Sequence, residues 1–328
     1  MNVKVMIRLT MVFICLAGMV LGCNSEVPSS SGGKFPQSVP REQSWGIYAL
    51  DLTTEAVEMI YSSDAKLEFL DLNQAGDTFA FSEQFAGSAA ENEEICTVGV
   101  DGAGFRRLTN NQFMDIYPVW SPDGDRFAFL SWRETDLDIY LMDSNGDNQI
   151  ELYDSGSHDA DIDWVGSSIV FTSGSRIWLM GDDGSNAIPV TDPQDAGVWG
   201  DVNLPFGDYD PRLSPDGQRI VFERLEDDAS PHGNYNFFIV NADGSNEVRL
   251  TDSGYSQGIA SWSHAQDRLV FVVAAVGSNG RYDIYTMDST GANITNITPD
   301  YFPPDFLCHW PVFSIDDSMV FFIGQWWS

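Results

Sequence analysis

The feature that most constrains this chain is a unit that repeats along it. Residues 116–121 read IYPVWS and run on into PDGDRFAFLSW, then DLDIYLMDSNGDNQIELYD. Residues 209–222 read YDPRLSPDGQRIVF, followed by YNFFIVNADGSNEVRLTD. Residues 259–271 read IASWSHAQDRLVF, followed by YDIYTMDSTGANITNITPD. Each unit has an aromatic residue or Leu, a Ser, a turn, a basic residue and an apolar strand. A variable loop, a Tyr/Phe-rich strand, a Gly-containing turn and a last strand ending near Thr-Asp complete it. Fainter copies fill the gaps. FLDLNQAGDTFAF at 69–81 continues into EICTVGVDGAGFRRLTN, and DIDWVGSSIVF at 161–171 continues into RIWLMGDDGSNAIPVTD. The copy at 161–171 has lost most of its first turn. The interval between equivalent positions is about 44 to 51 residues, the size of one four-stranded propeller blade.

Local chemistry agrees with that reading. Asp101-Gly102, Asp123-Gly124, Asn145-Gly146, Asp183-Gly184 and Asp243-Gly244 are tight-turn pairs, where positive φ is needed. The flanking runs are β-branched and aromatic, as strands packed between sheets should be. No segment keeps a helical period. The ends complete the pattern. WPVFSIDDSMVFFI at 310–323 supplies only the first two strands of a unit, and SWGIYALDLTTEAVEMIYSS at 44–63 supplies the other two. We therefore expect an all-β, six-bladed β-propeller over residues 44–328, whose last blade is closed by N-terminal strands. That closure removes the open sheet edges.

Pro118 to Gly124 reads Pro-x-Trp-Ser-Pro-Asp-Gly, and Ser214 to Gly217 matches the centre of that motif. With Ile-Tyr-x-Met-Asp and Leu-Thr-Asp further on, the pattern resembles the TolB-type propeller repeat over residues 44–328. The same repeat occurs in the Tol-Pal envelope protein TolB, in the propellers of prolyl oligopeptidases and dipeptidyl peptidases, and in bacterial lipoproteins. The resemblance implies a binding propeller. TolB carries an α/β domain ahead of its propeller, and the short stretch ahead of residue 44 implies a member without it.

Residues 1–22 read as a signal peptide: Lys4 and Arg8 precede an apolar run from Leu9 to Leu21. Val20-Leu21-Gly22-Cys23 resembles the bacterial lipobox, which makes Cys23 the expected lipid attachment site. An ordinary signal peptide cut nearby is the alternative. Residues 23–43, rich in Ser, Pro and Gly, then form a flexible tether. Asn24 after the Cys points to the outer membrane, facing periplasm or cell surface. The net charge is -33, and the leader contains only bases, so the mature chain is more acidic still. Such a surface repels nucleic acid and anionic headgroups and suits basic partners or solubility. Cys96 and Cys308 remain in an oxidising compartment. We expect two buried thiols, with a disulfide as the alternative.

Three motifs suggest chemistry and have structural explanations. Gly254-Tyr255-Ser256-Gln257-Gly258 matches a nucleophile elbow, but a strand rather than a helix follows it. Asp143-Ser144-Asn145-Gly146-Asp147 resembles the start of a calcium loop, but the Gly and Glu of an EF-hand are missing from their places. His158, His232, His264 and His309 have no metal-ligand spacing. The more informative set lies at the start of each blade's innermost strand. Counting back from the turn Ser gives Glu68, Asp115, Asp159 or Asp161, Asp208 or Asp210, Gln257 and His309. A ring of these at the channel mouth would hold a basic or amide-rich peptide. A divalent cation there is the one cofactor expected; otherwise none.

These readings combine into a non-catalytic, membrane-tethered, monomeric binding propeller of the cell envelope, with a protein or peptide partner. The alternative is a carbohydrate- or polymer-binding lipoprotein using Trp199, Tyr209, Trp310 and Trp326-Trp327 as exposed aromatics. A propeller lyase or hydrolase is the third reading. The loops at 84–93, 193–208, 226–234 and 273–281 are expected to set specificity.

Overall fold

The computed structural model describes residues 45–85, 93–194, 196–197, 206–227, 234–274, 282–303 and 305–326. Cys23, the leader, the linker, Trp199, His232, Trp327 and much of the four variable loops lie outside the described residues. Among the described residues, twenty-four strands, β1 to β24 in chain order, form six four-stranded antiparallel sheets. Blades one to five occupy residues 67–107, 114–153, 159–189, 207–249 and 256–296. The sixth is composite: β1 (Trp45–Asp51) pairs with β24 (Met319–Trp326), and with β2 (Val57–Ser63) and β23 (Phe306–Phe313) flanking them the order is β2-β1-β24-β23. The closure read from the two half-units is the one observed. Cys96 and Cys308 are buried thiols in different blades and are not joined by a disulfide.

The repeated residues do repeated jobs. In the Ser-Pro-Asp-Gly turn, Ser121 Oγ donates to Asp123 Oδ1 at 2.6 Å and accepts from Arg126 N at 2.9 Å. Ser214 and Asp216 repeat both contacts. Blade three, which lacks the motif, closes with a tight hairpin between Val165 and Ser168 instead. The Thr of Leu-Thr-Asp ties the outer strand to the third strand: Thr109, Thr191, Thr251 and Thr298 accept from the N–H of Ile95, Ile177, Phe237 and Ile284. The Gly of the outer hairpin fits one blade against the last. A Cβ on Gly146 (φ 92°) would lie 2.6 Å from the Leu108 carbonyl oxygen of the preceding blade. Gly184 meets Leu152 in the same way.

Each innermost strand carries a β-bulge, and opposite each bulge stands a fully buried Phe: Phe81, Phe129, Phe171, Phe222, Phe271 and Phe322. A Phe so buried contributes about 1.5–3 kcal/mol relative to an exposed one. This set of six locks neighbouring blades around the channel.

Candidate functional site

The bulge decides what faces the channel. In each inner strand the register against the second strand slips by one residue, between Glu68 and Asp71, Ile116 and Val119, Ala160 and Asp163, Tyr209 and Arg212, Gly258 and Ser261, and His309 and Val312. One residue in each bulge has positive φ: Phe69, Tyr117, Asp161, Asp210, Ile259 and Trp310. This conformation is uncommon outside Gly and strained for a β-branched residue such as Ile259. The gain is that six side chains reach the waist of the channel. Phe69 packs on Tyr117 with ring centroids 4.5 Å apart and on Trp310 at 4.6 Å. These aromatics form an apolar plug across the waist.

Beside the plug lies a buried polar network. Tyr117 Oη donates to Asp210 Oδ1 at 2.9 Å and accepts from an Arg212 terminal nitrogen at 2.9 Å. Asp210 N donates to Asp161 Oδ2, and Ile259 N donates to the Glu223 carboxylate. Burial pushes Asp161 up to about 8, reinforced by Asp210, and pushes Glu223 well above the usual carboxylate range. One guanidinium cannot offset all the acids around it.

The residues expected at one mouth do not form one ring. They fall into three rows, because a one-residue offset turns a strand side chain to the other face. Asp161 and Asp210 do reach the waist. Asp115, Asp159, Asp208 and Gln257 lie two positions earlier, in register with Leu67 and Cys308. There Asp115 and Asp208 are held within their own blades, and Asp159 is held by the segment just ahead of its blade, with its Oδ1 left without a hydrogen bond among the described residues. Asp208 accepts from Arg224 at 2.6 and 3.0 Å, Asp115 from Ser131 at 2.5 Å, and Asp159 from Ser155 N at 3.2 Å. Even so, burial outweighs these bonds and pushes all three carboxyls up. Glu68 and His309 sit in the row between. Glu68 pairs with Lys66 at 2.5 Å. His309 packs between Trp45 and Tyr282, and burial pushes its imidazole down to about 4. Tyr209 and Trp310, expected as exposed aromatics, are buried. Ser256 is a buried residue of β19 (Ser256–Trp262), paired with Ala274, and not an elbow.

A cavity of about 300 Å³ opens instead at the other end of the channel, among the turns that join first and second strands. Arg212, Asp71 and Asp163 line it, with Trp120, Trp164 and Trp262 around them and His264 on its turn. These residues follow the bulge, in the part of the inner strand that the sequence reading passed over. Asp71 Oδ2 accepts from Trp120 N and Asp163 Oδ2 from Leu213 N, both at 2.8 Å, so each carboxylate also staples its blade to the next. Burial pushes Asp71 up to about 7; the Trp120 N–H bond and nearby Arg212 oppose that rise, while Asp163 adds to it. The indoles are braced from neighbouring blades: Arg126 lies 5.1 Å over Trp164 and Arg219 4.8 Å over Trp262. The sequence did hold a signal for Arg212. It stands where other copies have Asp71, Val119, Asp163, Ser261 and Val312, and a single base at a position that is otherwise acidic, small or apolar is informative.

No family model matches the chain. Over 181 residues it is 26% identical to an uncharacterised protein of Agrobacterium fabrum, a match covering 52% of this chain and 58% of that protein. Over 143 residues it is 25% identical to a TolB homolog of Chlorobium luteolum, covering 42% of this chain and 30% of the homolog. Among solved structures it is similar to a TolB-type protein of Agrobacterium tumefaciens, with a TM-score of 0.66 and 19% identity over 87% of this chain and 99% of that one. TolB from Acinetobacter baumannii gives 0.54 and 16% over 80% and 65% of the two chains. The chain is thus similar to TolB-like β-propellers, and spans 58% and 30% of the two curated relatives it matches. A manganese-bound oligogalacturonate lyase also matches, with a TM-score of 0.54 and 12% identity over 86% of this chain and 83% of the lyase, which is a likeness of fold alone. In this TolB-like propeller the aromatic plug separates the cavity from the strand-start end of the channel.

Proposed function

We propose that this TolB-like propeller is a non-catalytic, membrane-tethered protein of the cell envelope that binds a protein or peptide segment in the cavity at the turn end of its channel. One observation carries the reading: a concave site with charged groups at its inner end and indoles around it, on a rigid scaffold. The non-catalytic reading is supported by how the acids are engaged: Asp71 and Asp163, which line the cavity and are also pushed up, each hold a backbone N–H of the next blade. Asp161, Asp210 and Glu223 belong to the buried network and do not line the cavity. The tether rests on Val20-Leu21-Gly22-Cys23, and the envelope location on that leader and on the TolB relatives.

The carbohydrate reading draws on Trp120, Trp164 and Trp262, but Arg126 and Arg219 already cover faces of two of these indoles. The test is affinity capture from envelope extract with the full chain, comparing wild type, Arg212→Met and the strand-start control Asp115→Asn. A partner held by wild type and the control but lost in Arg212→Met is expected. A partner held equally by all three would move the site elsewhere. For the tether, Cys23→Ala should release the chain from membranes and abolish acyl modification by mass spectrometry. Unchanged membrane association would refute lipidation.

A further inference from the structure

The cavity offers an unusual combination of charges at its inner end. Arg212 has five N–H donors and, among the described residues, makes two hydrogen bonds: to the Ile162 carbonyl at 3.1 Å and to Tyr117 Oη at 2.9 Å. Asp71, Asp163 and Asp210 all act on it electrostatically, yet among the described residues it forms a direct ion pair with none of them. Asp71 and Asp163 likewise keep acceptor capacity. A carboxylate can accept about four hydrogen bonds. Asp71 receives backbone N–H groups of Trp120 and Leu72, and Asp163 those of Leu213 and Trp164. The site therefore presents donors and acceptors side by side to whatever enters.

That mixture discriminates by charge. An ammonium or guanidinium group would satisfy the carboxylates but meet Arg212 as a like charge. A carboxylate would satisfy Arg212 but meet Asp71 and Asp163. Either mismatch in a partly desolvated site is costly. A neutral group with a donor and an acceptor a bond or two apart is repelled by neither. A carboxamide is such a group: its C=O accepts from Arg212 and its NH₂ donates to the aspartates. Arg126 over Trp164 and Arg219 over Trp262 each take up an indole face, which favours a peptide over a sugar, since a sugar ring needs an open face on which to stack.

We propose that the cavity selects the carboxamide side chain of an Asn or Gln carried on a partner's polypeptide, held between Arg212 and the Asp71–Asp163 pair. This rests on the peptide-binding reading and deepens it. Lysine, arginine, aspartate and glutamate at the same position are rejected by the site's own charges.

The experiment uses the full chain and three small probes, N-acetylglutamine amide, N-acetylglutamate amide and N-acetyllysine amide, with methyl glucoside as the sugar. Binding is read at pH 8 from the indole N–H resonances of Trp120, Trp164 and Trp262. The glutamine probe should bind about tenfold more tightly than either charged probe. In the double variant Asp71→Asn, Asp163→Asn, which removes both carboxylates that line the cavity with Arg212, preference should move to the glutamate probe. The inference is overturned if a charged probe binds wild type as well as the glutamine probe. It is also overturned if the sugar alone shifts these indoles, if no probe does, or if the double variant keeps the wild-type order. Pocket-dependent capture of a partner together with a preference for a charged probe would sink this inference alone. Capture that ignores the pocket would sink the functional reading beneath it.

Discussion

The two ends of the channel are lined by the same six strands, and both are acidic. They differ in how those acids are paired. At the strand-start end, Asp208 is gripped by Arg224 and Asp115 by Ser131, each cross-strand within one blade. At the turn end, Arg212 stands among carboxylates without pairing directly with any, beside an open cavity. A buried acid with a dedicated partner belongs to the architecture. A charged group with unused hydrogen-bonding capacity facing a cavity is where a ligand can act.

The sharpest way to break this comparison is at Asp208. Asp208→Ala leaves a largely buried guanidinium with Glu247 as its one ion-pair partner among the described residues, and should lower unfolding stability by about 3 kcal/mol in urea denaturation. If stability is unchanged while partner capture is lost, the strand-start end is the functional one and the assignment of the two ends is reversed. Next in size is Arg212→Met. It should abolish capture and lower the melting temperature at pH 8 but much less at pH 5, where the surrounding carboxylates can protonate.

A third effect is the pH profile of the wild type. Burial pushes Glu68 and Asp71 up to about 7 and Asp161 up to about 8, whereas in the unfolded chain such groups titrate near ~4. Between those values the folded chain holds protons that the unfolded chain has lost, so these groups favour folding less as pH rises from about 4 to 8. His309, pushed down to about 4, and His158, also lowered, act oppositely and weaken folding as pH falls below about 6.5. The carboxyls outnumber the imidazoles. The melting temperature should therefore be higher near pH 6 than at pH 8, and Asp161→Asn should flatten that difference. A melting temperature that climbs steadily toward pH 8 would contradict the buried, protonated network. The smallest effect is expected at Asp71→Asn, whose carboxamide oxygen can still accept from Trp120 N. Stability at pH 8 should move by less than about 1 kcal/mol while probe preference changes.

Much of the architecture was legible before any coordinates. The half-units at 44–63 and 310–323 announced a composite blade, and β1 does pair with β24. The missing turn in the third copy became the tight hairpin at Val165 and Ser168. The site was legible only in part. Counting back from the turn Ser found Asp161 and Asp210, which do reach the waist. It also collected Glu68, Asp115, Asp208, Gln257 and His309, which occupy other rows. A simple alternation of faces cannot register an inserted bulge residue, and nothing in the one-letter pattern marks Phe69 or Ile259 as having positive φ.

What the sequence determined by itself was the number of blades, their turns and the way the ring closes. Those follow from local chemistry repeated at a fixed interval: a Ser and an Asp that cap a turn, a Thr that ties down an outer strand, a Gly that lets two blades approach. What only the tertiary structure decided was which charges are partnered and which face the cavity. That depends on residues from different blades meeting at the channel, Tyr117 with Asp210 and Arg212, Asp71 with Trp120, Asp163 with Leu213, and those distances are set by how six twisted sheets pack around one axis.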